Sequence, residues 1–158
     1  MIMRSIAAAI CASWAGAATS SAPPSVVAAQ CFDALIAARI TAQVPSDFPD
    51  AEDGYIIMSW PYFIDLDVKQ VIKGSLPGKK ITALSVQHSY WKTNLGKRKW
   101  WVRRNSEGGY NLLQVEPGRE PPLCPPNTLP AQAYLQPADG ETLEDLRRKG
   151  ELRYRRRQ

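Results

Sequence analysis

The sequence predicts a mainly β protein, an antiparallel sheet or small barrel of about five strands followed by a short helix. Two observations carry this prediction. Apolar and polar residues alternate along several short segments, which is typical of strands with one buried face. Turns rich in glycine and proline separate neighbouring segments by only a few residues, as in hairpins, whereas parallel strands need long crossover connections. The chain of 158 residues is long enough for one domain with a modest core.

The first strand is predicted from Ile36 to Val44. The residues from Phe32 onward are also compatible with a helix, but the alternation and the β-branched residues near the end of the segment favour a strand. Residues Pro45 to Gly54 contain two prolines, four acids and a glycine, so a loop is expected there. A further extended segment begins at Tyr55 to Met58 and is interrupted near Pro61, because proline cannot donate a hydrogen bond to a β-ladder.

A β-hairpin from Tyr62 to Val86 is the clearest element of the sequence. In its first arm, apolar residues alternate with charged ones along the run YFIDLDVK. Gly74, Pro77 and Gly78 then end the strand, because they supply a positive or a fixed φ. The β-rich run from Ile81 to Val86 forms the second arm.

A second hairpin is predicted to join Trp100–Arg104 to Tyr110–Val115. Gly108 and Gly109 supply a two-residue turn between these strands. An earlier turn is predicted at Asn94–Lys97.

The C-terminal part of the chain is predicted to be a proline-rich arm followed by one helix. Prolines recur so often from Glu116 to Pro137 that neither a helix nor a central strand is expected to persist. Thr142 followed by Asp145 is the start signal of a short helix, and Gly150 is its stop signal. The final residues RYRRRQ are expected to fray.

Residues 1–29 have the pattern of a secretory signal peptide. Arg4 supplies the positive start, and Ile6–Ala18 is an uncharged, alanine-rich apolar run. Cleavage is expected after Ala29, with an earlier alternative after Ala17. A retained membrane anchor is disfavoured, because the run is shorter than the roughly 20 apolar residues of a membrane span. Lipidation of a nearby cysteine is also disfavoured, because no small residue directly precedes one.

Loss of the signal peptide would leave two cysteines, Cys31 and Cys124. An exported chain matures in an oxidising compartment, where two thiols form a disulfide more often than they stay free. The bond would connect the mature N-terminus to the far end of the β region.

The net charge of +5 is unevenly distributed along the chain. Residues 147–158 carry seven basic side chains and one acidic side chain, and the signal peptide carries one arginine, which leaves −2 for residues 30–146. The body of the domain is therefore close to neutral. The basic tail is compatible with contact to an anionic membrane surface, or with no specific partner.

Aromatic and basic residues cluster between Ser89 and Arg104 and form the candidate binding surface. Phosphates attract lysine and arginine, and bases stack on tryptophan, so nucleic acid or another anionic polymer is one possible ligand. Export argues against nucleic acid. In the alternative interpretation, the tryptophans pack the sheet and the cations solvate its outer face. The candidate residues are Tyr90, Trp91, Lys92, Lys97, Arg98, Trp100 and Arg103.

The sequence shows no evident catalytic constellation, metal site or cofactor site. His88 is the only histidine, which excludes histidine pairs and multi-histidine zinc sites. A dyad of His88 with Cys124 would need a free thiol. Asp65 and Asp67 are expected on one face of a strand, about 7 Å apart, and an enzyme would have to bring one of them to His88.

One part of the chain resembles a known family. The runs ALIAARITAQV, VKQVIKG and SLPGKKITALSV are similar to the start of bacterial secreted proteins related to netrin-like, or tissue-inhibitor-of-metalloproteinase-like, OB-fold domains. The resemblance implies a five-stranded Greek-key barrel with a binding rather than a catalytic role. Family members typically have a cysteine where this chain has Ser89-Tyr90-Trp91. In the eukaryotic inhibitors the mature N-terminal cysteine ligates the protease zinc, whereas here Gln30 would precede Cys31, so protease inhibition is not carried over. The matching positions are Val68, Val71, Ile72, Lys73, Gly74, Pro77, Gly78 and the strand from Ile81.

The expected protein is therefore an exported binding module built on a mainly β, antiparallel five-stranded OB-like barrel with a short C-terminal helix. Its barrel domain, with the proline-rich arm, spans residues 30–137, and the helix and basic tail span residues 138–158. A protein or an anionic polymer is the expected class of ligand. An enzyme that uses His88 with Asp65 or Asp67 is the alternative.

Overall fold

The computed structural model describes residues 31–47, 58–91 and 96–155. Within these ranges, five strands close into a barrel and one helix follows them. The elements are β1 (Ala34–Pro45), β2 (Trp60–Gly74), β3 (Lys80–Gln87), β4 (Arg98–Arg104), β5 (Tyr110–Leu112) and α1 (Leu143–Arg155).

The strands follow the order β1-β2-β3-β5-β4 around the barrel, and β4 closes the circle by pairing with β1. The predicted five-stranded OB-like barrel is confirmed, but the purely antiparallel arrangement is wrong, because β3 and β5 pair in parallel. The reason is topological. After β3, the chain crosses to the far side of β1 to form β4, and β5 then returns antiparallel to β4, so that it runs in the same direction as β3.

The two predicted hairpins are present. β2 and β3 pair from Trp60 opposite Gln87 to Asp67 opposite Lys80, and the rest of β2 continues along β1 to Gly74. β4 and β5 also pair as a hairpin, but the turn is longer than the predicted Gly108-Gly109 pair. It runs from Asn105 to Gly109, because the Asn105 side chain accepts hydrogen bonds from the N–H groups of Glu107 and Gly109.

Several sequence predictions lie outside the described residues. These are the signal peptide, most of the extended segment from Tyr55 to Met58, and the first half of the turn at Asn94–Lys97. Met58, which is described, precedes β2 and is not part of a strand.

The apolar side chains form two clusters, one inside the barrel and one outside it. Alternate residues of the strands, such as Ile36, Ile64 and Val102, fill the interior. Phe63 and Leu84 point to the opposite face of their strands and pack under Ala133 of the arm, with Leu143 and Leu146 of α1 against them. The helix and the arm therefore cover an outer face that would otherwise be exposed.

Helix α1 begins as predicted but ends later. The Asp145 N–H donates to Thr142 Oγ1 at 3.2 Å, and the Thr142 N–H donates to Asp145 Oδ2 at 3.1 Å, which is a reciprocal N-terminal cap. Gly150 does not stop the helix, which continues to Arg155. A Cβ atom at Gly150 would lie 2.2 Å from the carbonyl oxygen of Pro45, so glycine here permits close packing of the helix on β1.

The predicted disulfide between Cys31 and Cys124 is present. Beside it, the Phe32 N–H donates to Pro122 O at 3.0 Å and the Cys124 N–H donates to Phe32 O at 2.8 Å. The proline-rich arm is thus attached to the start of the barrel by a covalent bond and by a short parallel bridge. Within the described ranges, no helix is long and apolar enough to cross a membrane.

Candidate functional site

The barrel wall opens where β3 and β5 separate. Their parallel ladder has only two residue pairs, Ala83 with Tyr110 and Leu84 with Asn111. Beyond these pairs β3 stays on β2 as far as Gln87, whereas the chain after β5 turns toward β4, where the Leu113 N–H donates to Trp101 O at 2.9 Å. The diverging chains enclose a cleft of about 910 Å³, within the range of roughly 300 to 1,000 Å³ that is usual for ligand sites.

Three segments form the main walls of this cleft, which we call the β3–β5 cleft. They are the end of β3 with the residues that follow it, the chain after β5, and the proline-rich arm. The corresponding residues are Val86–Ser89 with Trp91, Leu113–Glu116, and Arg119–Pro122 with Tyr134. About half of these side chains are apolar or aromatic, and the other half are polar or charged.

The side chain of Gln87 is the most unusual of these polar groups. Only 6% of the residue is exposed, yet neither Nε2 nor Oε1 has a hydrogen-bond partner among the described residues. A buried polar group that lacks a partner destabilises a fold by about 1 to 3 kcal/mol. Both amide atoms are inaccessible to solvent, and Gln87 shares the barrel-facing side of β3 with Ile81 and Ala83.

Trp91 is held at the edge of the cleft by a second glutamine. Gln43 Nε2 donates to Trp91 O at 2.7 Å, and the Trp91 N–H donates to Gln43 Oε1 at 2.9 Å. The Trp91 ring packs against Trp100 with ring centroids 4.8 Å apart. The segment that follows β3 is therefore anchored to β1 and to the core, and Trp91 is presented in a fixed orientation.

Two buried asparagines position the arm that forms the outer wall. Asn105 Nδ2 donates to Asn111 Oδ1 at 3.1 Å, and Asn111 Nδ2 donates to Gln132 O at 2.8 Å. The Tyr134 N–H donates to Asn111 Oδ1 at 3.3 Å, which brings the Tyr134 side chain to the cleft. Partial burial raises the pKa of Tyr134, so its hydroxyl stays neutral and can donate a hydrogen bond at physiological pH.

The charges at the cleft nearly balance one another. Glu116 lies 3.8 Å from Arg119, and Glu120 accepts a hydrogen bond of 2.9 Å from Lys73. His88 is exposed at the same cleft. No strong field of one sign is therefore available to select a highly charged ligand inside the cleft.

The structure divides the predicted binding surface. Tyr90 is 52% exposed and meets the buried Tyr62 edge-on, and Trp91 is half-buried at the cleft. Lys97 and Arg98 are exposed, and the Arg98 guanidinium lies 5.5 Å from the centroid of the Trp100 ring. Lys92 lies outside the described residues.

Trp100 and Arg103 are not part of the exposed surface, which corrects the sequence prediction. Trp100 points into the barrel and donates through Nε1 to Ala38 O at 3.3 Å. Arg103 points outward but is only 1% exposed, because the proline-rich arm covers it. Its guanidinium donates to Asp33 at 2.9 Å and to the carbonyl oxygen of Leu129 in the arm.

The hypothetical catalytic residues are not brought together. Arg147 binds Asp65, Lys69 binds Asp67, and neither carboxylate lines the cleft at which His88 lies. Cys124 is committed to the disulfide. Among the described residues, no three histidine, cysteine or acidic side chains are placed to hold a metal ion.

Much of the charge in the basic tail is used within the protein. Arg147 binds Asp65, Arg148 binds Asp145, Lys149 binds Glu141 and Arg153 binds Asp47. Arg147 and Arg153 join α1 to the rest of the domain, whereas Arg148 and Lys149 are paired near the start of the helix and stay exposed. The last residues of the predicted basic tail, 156–158, lie outside the described ranges.

Sequence reasoning missed Gln87, Gln43 and the two asparagines. A signal for Gln87 was present, because the alternation in β3 places Ile81, Ala83, Ser85 and Gln87 on one face, and this face changes from apolar to polar toward the end of the strand. The contacts of Gln43 and the asparagines join residues distant in sequence, and no local pattern indicates them.

Comparison with protein-family models, with curated protein sequences and with solved structures finds no match to this chain. The functional argument therefore depends on the geometry of the β3–β5 cleft and its rim.

Proposed function

We propose that this protein is an exported binding module whose ligand occupies the β3–β5 cleft. The observation that carries the proposal is the cleft of about 910 Å³ that opens where β3 and β5 separate. The aromatic side chains of Trp91 and Tyr134 line it and offer apolar contact area to a ligand.

Two features support the part of the proposal that concerns export. The first 29 residues have the pattern of a signal peptide. The disulfide between Cys31 and Cys124 is of the kind that persists in oxidising compartments. Fractionation of cells that express the full chain tests this part, and the intact precursor among soluble cytosolic proteins would contradict it.

The binding proposal is tested by nuclear magnetic resonance of the isotope-labelled, disulfide-bonded protein. The probes are three mixtures, one each of short peptides, neutral oligosaccharides and sulfated polysaccharide fragments. We expect at least one mixture to shift the signals of the Trp91 indole and the Gln87 side-chain amide. The reference signals come from Val71 and Ile72 of β2, which lie away from the cleft. If no mixture shifts the cleft signals, the proposal is wrong.

A second candidate function is supported by the cations beside the cleft. Lys97, Arg98 and Lys99 are consecutive and exposed, and Arg98 lies against Trp100. This group, the cationic rim, is suited to an anionic polymer that crosses the protein surface. Binding through the rim would weaken steeply as salt concentration rises, whereas binding inside the nearly neutral cleft would change little.

We also propose that the chain is related to netrin-like OB-fold domains. The closed five-stranded barrel and the disulfide between the start of β1 and the arm after β5 support this relationship. Among the matching residues, Gly74 packs beside Asp33 outside the cleft, whereas Lys73 binds Glu120, which lines it. The support for the proposed relationship comes from the framework of the barrel, and no ligand is carried over with it.

A further inference from the structure

Half of the lysines and arginines of this protein belong to one stretch of the sequence that has no acid. Residues 68–106 contain ten of the twenty basic side chains and neither an aspartate nor a glutamate. The acidic residues lie before this stretch or after it, so the nearly neutral body of the domain is strongly segregated in charge. Where the fold exposes these cations side by side, the surface can attract an anionic partner.

The far end of the β2–β3 hairpin, residues 69–80, combines four of these cations with exposed aliphatic side chains. We call this segment the hairpin tip. Val71 and Ile72 of β2 are 38% and 36% exposed, and Pro77 of the connection is exposed as well. Aliphatic groups surrounded by cations are typical of surfaces that lie on anionic membranes. The four exposed cations are Lys69, Lys73, Lys79 and Lys80.

One edge of the hairpin tip has no strand partner among the described residues. β3 follows β2 only as far as the pair of Asp67 and Lys80, whereas β2 continues along β1 to Gly74. Register shifts leave Lys69 and Ile72 without opposite residues in the ladder with β1. Irregularities and lysines of this kind hinder the addition of another strand to a free edge. A peptide strand is therefore a poor partner for the tip.

The cationic rim lies beside the hairpin tip on the outer face of the barrel. Lys99 of the rim is opposite Ala37 of β1, and Ala37 is opposite Gln70 of the tip. Directly opposite residues point to the same side of a sheet, and two strand spacings amount to about 10 Å. Arg39, two residues further along β1, is also exposed. The cations therefore cover an area of the surface rather than a single line.

Two carboxylates offset only part of this charge. Asp67 binds Lys69, and Glu120 of the arm binds Lys73. The other cations of the tip and the rim form no ion pair within the part of the chain that the structure describes. With Arg39, the tip and the rim supply eight cations against these two carboxylates. The face remains strongly positive.

We propose that the hairpin tip and the cationic rim dock this protein on an anionic membrane surface. The lysines and arginines contact lipid headgroups, and Val71 and Ile72 reach the boundary of the acyl chains. A soluble polyanion would use the cations but would leave the aliphatic side chains without a role. The inference concerns a different surface from the β3–β5 cleft and does not depend on the ligand of that cleft. It also differs from the contact predicted for the basic tail.

The test is co-sedimentation of the exported, disulfide-bonded protein with lipid vesicles. One set of vesicles contains only phosphatidylcholine, and the other contains phosphatidylcholine mixed with anionic phosphatidylglycerol. We expect binding to the anionic vesicles to be at least about tenfold tighter, because each cation near an anionic surface contributes about fivefold in affinity. Added salt should weaken this binding.

The apolar part of the contact is tested by a double variant, Val71→Thr with Ile72→Thr. It keeps branched side chains on the strand and leaves the charge unchanged, and it should weaken binding to anionic vesicles about tenfold. Leu129→Thr changes an aliphatic residue that is 82% exposed on the arm, and should leave binding unchanged. Urea unfolding of both variants verifies that the fold is kept.

The cationic part is tested by a second double variant, Lys79→Gln with Lys80→Gln. Loss of two cations from the tip should weaken binding to anionic vesicles about twentyfold or more. Arg148→Gln with Lys149→Gln removes the same charge from exposed positions of α1, and should weaken binding less than about threefold.

Several results would overturn the inference. These are equal binding to both kinds of vesicle, binding to neither, and full binding by the two tip variants. Loss of binding on removal of residues 156–158 alone would assign the contact to the basic tail instead. If sulfated polysaccharide fragments bind and anionic vesicles do not, the rim serves a soluble polymer and the membrane inference fails. The signal of the Trp91 indole reports on the cleft separately, so either proposal can fail without the other.

Discussion

Arg147 of α1 and Asp65 of β2 join the C-terminal helix to the barrel through two hydrogen bonds of 2.7 Å each. Burial acts to raise the pKa of Asp65. The hydrogen bonds from Arg147 and Thr82, together with the charge of Arg147, outweigh that effect and hold the pKa below its ordinary value. The pKa of Arg147 is raised, mainly by its hydrogen bond to the same carboxylate. The ion pair between Arg147 and Asp65 therefore stabilises the fold by an amount that depends on pH.

The direction of the pH dependence follows from the lowered pKa of Asp65. Its contribution is fully present above the unfolded pKa of about 4 and is lost as the pH falls through the lower folded value. Arg147→Met should reduce the free energy of unfolding at neutral pH by about 1 to 2 kcal/mol, because the two hydrogen bonds involve charged groups and are partly buried.

Urea unfolding from neutral pH down to about pH 2 measures this effect. In Arg147→Met, only the hydrogen bond from Thr82 is left to oppose the effect of burial, so the pKa of Asp65 should rise and stability should fall less on acidification. Lys73→Met removes the exposed pair with Glu120 and serves as the control. If the free energy of unfolding fell equally with decreasing pH in wild type and in Arg147→Met, the pH dependence would not come from the Arg147–Asp65 pair.

Gly150→Ala should destabilise the protein although alanine is the better helix former. The new Cβ would lie 2.2 Å from the carbonyl oxygen of Pro45, so α1 would have to move away from β1. We expect a loss of about 1 to 3 kcal/mol in urea unfolding, as for an overpacked core. Leu152→Ala, at a half-exposed position of the same helix, should change stability far less. A more stable Gly150→Ala variant would show that the helix does not pack as described.

Arg103→Met should be much more damaging than Arg104→Met. Both side chains bind Asp33, but Arg103 is 1% exposed and Arg104 is 53% exposed. Loss of the buried partner leaves the carboxylate of Asp33 poorly compensated, at a cost of about 3 to 5 kcal/mol, whereas an exposed pair contributes about 1 kcal/mol or less. Thermal and urea unfolding of the two variants measure the difference, and equal losses would contradict the buried position of Arg103.

Asn111→Ala should loosen the arm that forms the outer wall of the cleft. The substitution removes the partners of Asn105, of Gln132 O and of the Tyr134 N–H. We expect a loss of about 2 to 3 kcal/mol and faster hydrogen exchange at the Tyr134 amide, because buried groups become unmatched. Hydrogen exchange at the amides of β2 serves as the control, and it should change only as much as the overall free energy of unfolding changes. Unchanged exchange at Tyr134 would show that Asn111 does not hold the arm.

Replacement of both cysteines by serine should lower the free energy of unfolding. Cys31 and Cys124 are 93 residues apart in sequence, and the chain-entropy model gives about 4 to 5 kcal/mol for a loop of this length. Equilibrium unfolding of the double variant, and of wild type with a reductant, measures the loss. Two alkylatable thiols in the exported, unreduced protein would contradict the presence of the bond.

The elements that follow from local patterns were predictable from the sequence. Alternation and a glycine-proline turn located the β2–β3 hairpin, and the Thr142–Asp145 pair located the start of α1. The end of α1 was not predictable, because Gly150 serves a contact with Pro45, which is distant in sequence. The same residue type signals a helix end in one context and close packing in another.

The candidate site was predictable only at its rim. Aromatic and basic residues located Tyr90, Trp91 and Arg98, which are at the surface. Alternation places Arg103 on the outer face of β4, yet the arm covers that face, and an arm without regular structure leaves no pattern to indicate what it covers. The cleft itself results from the parting of β3 and β5, which depends on strand order and not on any single segment.

The two-pair ladder between Ala83–Leu84 and Tyr110–Asn111 is the shortest seam of the barrel, followed by the three-pair ladder between β4 and β5. Expansion of the barrel is therefore expected to begin there, while the longer ladders, the disulfide and the helix contact stay intact.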